Sequence, residues 1–360
     1  VDEGGRGMSS GADIARRAPR LRAQNPVRTL AVDVYLGARL SVAGFSALLP
    51  IVGIASTGNA PTPRELAGAV AVALLFHVYA YVLNDVVDLD IDRREPQRAA
   101  FPLVRGAWSP AAALTVAAAQ IPAALLLTVL LGGGADAVAL LAVAFVALAA
   151  YDVWGKRCVF PPLIELVQAG GWASLLLYGA ALVGDANRVT AAIAAATIAY
   201  VLLVNGVHGG LRDLANDAAC GARTTALLLG ARASPSGAHV PPALVVYAVA
   251  LHGVLFTGAI AALRLAEPRY EARAAAAFVL AAAVIAASLV LAASAARRGA
   301  DPVRAHTAAT WHLFTCMALL AIPILPLLET WAALSLGTVF GLPVLAIPGY
   351  RRRTHRRVGR

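Results

Sequence analysis

The sequence predicts an all-α protein, a polytopic bundle of nine or ten transmembrane helices, and two observations carry that prediction. Of 360 residues, 59% are hydrophobic and only 14% charged, with a mean hydropathy of +0.72, far from the balance of a soluble globular chain. Apolar runs long enough to cross a hydrocarbon core of ~30 Å then recur over 36–55, 65–86, 109–131, 136–152, 161–183, 189–210, 241–264, 274–296, 306–327 and 330–349. The last pair is the least regular, hence nine or ten.

The loops between these runs fix their order across the bilayer, because basic residues are retained on the cytoplasmic side. Arg6, Arg16, Arg17, Arg20, Arg22 and Arg28 precede the first span, and Arg93, Arg94, Arg98 and Arg105 follow the second. Lys156 and Arg157 follow the fourth, Arg212, Arg223 and Arg232 the sixth, and Arg297, Arg298 and Arg304 the eighth. A last basic cluster runs from Arg351 to Arg360. With an even count of spans every cluster falls on one face. The opposite loops, such as Gly132 to Asp136 and Gly184 to Asn187, are short and nearly neutral. The expected location is a bacterial plasma membrane with this face in the cytoplasm.

The net charge of +10 is spread over these loops rather than along one soluble face, so anionic lipid headgroups account for it and nucleic acid is excluded as a partner. Cys158, Cys220 and Cys316 have no metal-ligand spacing in sequence and read as separate thiols. Residues 1–27 are rich in Gly, Ala and Arg and read as a disordered cytoplasmic tail without a cleavable signal pattern, with Met8 a candidate start. Residues 28–350 form one membrane domain and 351–360 a basic C-terminal tail.

Asn84-Asp85-Val86-Val87-Asp88-Leu89-Asp90-Ile91-Asp92 sets four carboxylates directly after the apolar run Ala67 to Leu83. Burying apolar surface does not require that, and ionisable residues at membrane helix ends mark functional sites. On a helix Asp85, Asp88 and Asp92 share one stripe, with Asn84, Tyr81 and His77 close to it. Asp90 falls off the stripe and is expected to pair with a nearby arginine in solvent. A second cluster, Arg212-Asp213-Leu214-Ala215-Asn216-Asp217, follows the apolar run Ala191 to Val207. Both polar segments, about 88–108 and 211–240, continue into arginine with glycine or proline, a weak internal duplication that would put a site between repeats.

A like-charge pair at ~4 Å costs on the order of 4 kcal/mol at an effective dielectric of 20, so cations must sit among these acids. Oxygen-only donors without histidine or cysteine spacing favour Mg2+, held by a few carboxylates together with substrate phosphates. The alternative is that the acids only cap helix ends or pair with Arg93, Arg94 and Arg212, but surface ion pairs contribute little and do not call for two such clusters. Lys156 is the sole lysine among 30 basic residues. Beside Tyr151 at a helix end, its compact ammonium is suited to a phosphate oxygen, the alternative being a chance survivor in an arginine-rich chain. His208 lies one turn before Arg212 and two before Asn216, so an α-helix would turn it toward the same polar stripe, where it is a candidate base. His77, Glu165 and Gln168 are further candidates for the same chamber.

Asn84-Asp85-x-x-Asp88-x-x-x-Asp92, the Tyr151 to Lys156 element, and Asp213-x-x-x-Asp217 followed by Gly221-Ala222-Arg223-Thr224 resemble the UbiA-type intramembrane prenyltransferases, over about residues 30–350. The resemblance implies a helical bundle around a lipid-accessible central cavity. It implies two Mg2+ ions bridging a prenyl diphosphate between the motifs, with Asp85, Asp88, Asp92, Asp213 and Asp217 as metal ligands. Lys156, Asn84, Arg98, Tyr151, Arg212, Arg223 and His208 are then the substrate-binding set, and the prenyl group passes to a small, aromatic acceptor. The sequence departs from the family pattern where Ala99-Ala100-Phe101 separates Pro96-Gln97-Arg98 from Pro102-Leu103.

In this expectation the metals and Lys156 stabilise the leaving diphosphate as the allylic C–O bond ionises, and Phe76, Tyr81, Trp172 and Tyr178 are candidate walls for the prenyl tail. A terpene cyclase of the same superfamily is the near alternative. A transporter or lipid-binding protein is the distant one, and transporter charges belong near the midplane rather than at helix ends.

Overall fold

The computed structural model describes residues 26–95, 98–234, 237–269, 271–295 and 302–327 of the chain. Among them nine helices are long and apolar enough to cross a membrane. The tenth expected span, 330–349, lies outside the described residues, as do residues 1–25 of the N-terminal tail and the C-terminal segment 351–360. The expected tail ends early, because helix α1 (Pro26–Gly37) starts at Pro26.

After α1 come α2 (Ala43–Thr57), α3 (Pro63–Val87) and the short α4 (Leu89–Asp92). Next are α5 (Pro110–Leu130), α6 (Ala135–Trp154), α7 (Pro161–Val183) and α8 (Arg188–Leu202). The short α9 (Gly210–Arg212), α10 (Leu214–Ala219) and α11 (Thr225–Leu228) lead to a small hairpin of Arg232–Ser234 with Gly237–His239. Three long helices close the described chain: α12 (Pro242–Ala266), α13 (Glu271–Ala295) and α14 (Pro302–Ala321).

Helix starts are set by local chemistry. Thr62 caps α3 in a reciprocal box with Glu65, with Pro63 in the first turn. Ser109 accepts the Ala112 N–H ahead of Pro110 in α5, and Asn187 caps α8 with Thr190. Gly58, at φ 81, ends α2 in the left-handed conformation that glycine tolerates.

The helices pack α2 against α3 and α7, α3 against α5, α6 against α7, α7 against α8, α8 against α12, and α13 against α14, so neighbours in sequence and distant helices both meet. The α2–α7 crossing is tight because small residues meet there. A Cβ at Gly179 would lie 2.1 Å from the Pro50 carbonyl oxygen, and one at Gly53 would lie 1.9 Å from that of Leu176. The core runs through Leu48, Leu49, Phe76, Leu141, Leu175 and Leu176, all nearly inaccessible. Val116, Val129, Val146, Val249 and Val279 instead point outward, the inverse of a water-facing surface and the form expected of one that meets lipid.

Gly179→Val should force α2 and α7 apart and lower stability on the order of 3 kcal/mol. Thermal unfolding in detergent checks this, and a melting profile equal to wild type would show that the crossing has slack.

Candidate active site

Both acidic clusters are built the same way. A long helix ends, one aspartate leaves the helical region, and a short helix resumes: Asp88 stands at φ −88, ψ 5 between α3 and α4, and Asp213 at φ −95, ψ 4 between α9 and α10. The i→i+4 bonds still bridge each break, from Asp88 N–H to Asn84 C=O and Asp92 N–H to Asp88 C=O, then from Asp213 N–H to Gly209 C=O and Asp217 N–H to Asp213 C=O. Each stripe of acids therefore survives its kink. Asp85, Asp92 and Asp217 are buried. Asp90 lies off the stripe, exposed and 3.1 Å from Arg93, as expected.

The two clusters meet at Lys156. Its Nζ lies 3.1 Å from Asp88 Oδ2 and 3.5 Å from Asp217 Oδ1, one carboxylate from each. The Arg223 N–H donates to the Lys156 carbonyl at 2.9 Å, tying the loop after the second cluster to the end of α6. It is this backbone group that engages; the Arg223 side chain is exposed. Tyr151, one turn before Lys156, stands in the electrostatic field of Asp88, Asp152, Glu165 and Asp217. Arg212 grips its own neighbour, with Nε 2.8 Å and Nη2 2.6 Å from the two oxygens of Asp213.

Arg98 reaches the first cluster despite the three-residue interruption after it, 3.9 Å from Asp85 and 3.8 Å from Asp92. The interruption has a use: Phe101 lies 4.8 Å beneath the Arg98 guanidinium. Asn84 donates to Asp152 Oδ1 at 3.2 Å.

Two residues of the site are not evident from the sequence motifs. Arg39 ion-pairs with Asp85, donates to Asn84 Oδ1 at 3.3 Å and lies over the Tyr81 ring. It adopts the left-handed region at φ 46, ahead of the 3-10 turn Leu40–Val42. An arginine inside the first predicted apolar run was the available signal. Asp152 is the other, buried at the end of α6 with Oδ2 lacking a hydrogen-bond partner. A polar pocket of about 170 Å³ lies beside it, lined by Asp88, Ile91, Asp152, Lys156, Cys220 and Gly221.

Four candidates lie elsewhere. His208 is turned away by a π-helical segment, Leu203–Gly209. Each extra residue in such a turn rotates the next part of the helix by roughly 100° relative to a continuous α-helix, and the His208 ring packs 5.1 Å from His312 instead. Glycines permit the wide turn, since a Cβ at Gly206 would lie 2.6 Å from Glu165 Oε2. His77 is a buried structural residue. Its Nε2–H donates to the Ala38 carbonyl and its Nδ1 accepts from Ser46, each at 2.8 Å, which fixes the turn presenting Arg39. Tyr178 is fully buried and accepts from Thr128 near the end of α7 remote from the acids, so it packs the core. Phe76 is likewise enclosed, edge-on to Phe145 and Trp172.

The carboxylates beyond the membrane spans differ in their titration. Burial raises Asp92 above the ordinary range against the pull of Arg98, and raises Asp217 against that of Lys156. Burial also opposes ionisation of Asp213, but the hydrogen bonds and charge of Arg212 hold it below that range.

The described residues thus form a bundle of nine candidate spans in which two kinked acidic helix ends converge on one lysine, and residues 45–298 match the UbiA prenyltransferase family. The chain belongs to that family and is an integral membrane protein. A digeranylgeranylglyceryl phosphate synthase of Natronomonas pharaonis is 33% identical over 187 residues, 52% of this chain and 65% of the relative. The match thus spans less than two thirds of that relative. A UbiA homologue from Aeropyrum pernix K1, solved in its apo form, has TM-score 0.58 at 19% identity, covering 78% of this chain and 96% of its own. One from Archaeoglobus fulgidus bound to GPP and Mg2+ has TM-score 0.56 at 13% identity, covering 80% and 99%. At those identities the structures show a shared fold.

A carboxylate whose folded pKa is raised contributes stability fully present below its unfolded value and lost as pH rises through the folded one. With divalent ions chelated, Asp217→Asn should therefore melt higher than wild type at neutral pH. The gap should close as pH falls toward 3.8, the ordinary aspartate value. Melting curves across that range check it, and a gap that widens on acidification would contradict the sign.

Proposed function

We propose that the protein transfers a prenyl group from a prenyl diphosphate to a hydroxyl-bearing acceptor in a Mg2+-dependent reaction at the cytoplasmic end of the bundle. The observation that carries this reading is the single ammonium of Lys156 in contact with carboxylates of both clusters. The donor set fits Mg2+: it is all oxygen, and Asp217 Oδ1 is buried without a hydrogen-bond partner among the described residues, 3.5 Å from the Lys156 ammonium. Asp85, Asp88, Asp92, Asp213 and Asp217 would hold two such ions. Bound there, Mg2+ would supply positive charge to the diphosphate as it leaves.

The protein's own groups do the rest. Lys156 and Arg98 bind diphosphate oxygens, Asn84 and Tyr151 orient the carboxylates around them, and Arg212 and Arg223 border the entrance. The allylic C–O bond breaks with its electron pair going to the diphosphate, into the field of Lys156, Arg98 and Arg39. The acceptor oxygen forms the new C–O bond, and its proton passes to the released diphosphate or to water. Tyr81, whose ring faces the Arg39 guanidinium, and Trp172, with its ring centroid 6.5 Å from that of Tyr81, wall the prenyl tail. The cytoplasmic placement is supported by the arginines of alternate loops.

A glycerol phosphate is the acceptor class we favour. The Natronomonas relative is named for a prenylated glyceryl phosphate, and arginines in excess of lysine suit a second phosphate. The aromatic acceptor implied by the family resemblance is the second class to test. Membranes supplied with prenyl diphosphates of several lengths and Mg2+ should yield a prenylated glycerol phosphate by mass spectrometry. A prenylated aromatic product would move the assignment to that class, hydrocarbon formed without acceptor would make the protein a cyclase, and no turnover with any combination would defeat the proposal.

Asp85→Ala and Asp213→Ala should each abolish turnover in protein that still migrates as a folded species. Lys156→Met should lower kcat by about 10²-fold or more. Activity unchanged in any one would remove that residue from the chemistry.

A further inference from the structure

We propose that His252, His312 and Cys316 form a binding site for a zinc-class transition-metal ion, distinct from the aspartates. The three come from α12 and α14, and their donor atoms all lie within 4.8 Å of one another. His208 adds a third imidazole beside His312. Three of the chain's seven histidines thus meet one of its three cysteines inside an apolar bundle.

The spacing is that of ligands around one ion. Tetrahedral coordination with metal–nitrogen bonds near 2.0–2.1 Å and metal–sulfur near 2.3 Å separates neighbouring donors by about 3.3 to 3.6 Å. Here His252 Nε2 and His312 Nε2 are 3.0 Å apart, and Cys316 Sγ lies beside the His312 ring, 3.8 Å from Nε2 and 3.7 Å from Nδ1, so a small rotation of the thiol brings it to an ion held at Nε2.

The far side of each ligand is also supported, as metal-binding imidazoles require. His252 Nδ1–H donates to the Ala248 carbonyl at 2.6 Å, which leaves Nε2 as a bare lone pair pointing at His312. Ser288 of α13 lies 3.0 Å from His312 Nδ1 and 3.1 Å from Cys316 Sγ, in reach of both remaining ligands. Without metal, the groups close a hydrogen-bond chain from the Cys316 thiol through Ser288 and His312 to His252. On binding, the thiol proton leaves to solvent and the His312 proton moves from Nε2 to Nδ1. There Ser288 accepts it while donating its own to the thiolate. Nitrogen and sulfur donors select zinc-class ions over Mg2+, as oxygen donors do the reverse.

Full-length protein in detergent, stripped with chelator and kept in excess Mg2+ to occupy the aspartates, is titrated with Co2+. Wild type should take up one equivalent with a thiolate-to-cobalt charge-transfer band, and Zn2+ should bleach it. Cys316→Ser should lose the band while Cys158→Ser and Cys220→Ser keep it. His312→Ala should lose the bound equivalent, and His252→Gln, a change at a half-buried position, provides the same readout if the buried variant misfolds. No band in wild type, or a band undiminished in Cys316→Ser, would overturn the site.

Discussion

The structure depends on neutralising a crowd of carboxylates where membrane helices end. Six aspartates, Asp85, Asp88, Asp92, Asp152, Asp213 and Asp217, gather there, most of them buried. Arg39, Arg98, Lys156 and Arg212 stand among them. Isolated in such surroundings, an ionised carboxylate is costly, so each cation is required for the acids to stay charged and the helix ends to stay together. Lys156 has the central position because an ammonium is small enough to touch acids from two helices at once. The cations are fewer than the acids, and that residual negative charge is what gives the proposed divalent ions their place.

The same economy shapes the backbone. Asp88 and Asp213 stand at nearly identical dihedral angles, each where a long helix yields to a short one. The break lets the acids before and after it face one space instead of winding around the helix. Two occurrences, four spans apart, fit the internal duplication read from the polar segments. Arg39 is placed by a comparable device: His77 and Ser46 lock a left-handed turn whose cost is of order 1–3 kcal/mol, and the ion pair with buried Asp85 holds it in place.

Much of this was legible in the sequence. Apolar run length located all nine described spans to within a few residues, and helical spacing put Asp85, Asp88 and Asp92 on one stripe while releasing Asp90 to solvent. The rarity of lysine pointed to Lys156. Local patterns could not show the π-helical segment before Arg212, where Glu165 and Ala226 approach Gly206 and Gly210 closely, because such approaches are tertiary. His208 was misplaced for that reason. Tyr178 was misplaced because aromatic character does not reveal depth along a helix. Arg39 and Asp152 were passed over as charges within apolar runs, although such charges are the ones a membrane protein retains for a reason.

The register shift at Leu203–Gly209 also separates two kinds of chemistry. Continued as an α-helix, this segment would direct His208 toward the aspartates, adding a nitrogen donor to an oxygen-lined space and weakening its preference for Mg2+. The wider turn sends that imidazole toward His312 and keeps it from joining the aspartates. Hard and soft donors are thereby kept in separate clusters, the acids at the ends of α3 and α9 and the imidazoles and thiol on α12 and α14. The proposed prenyl transfer at the aspartates and the proposed nitrogen–sulfur site can then coexist without competing for the same ion.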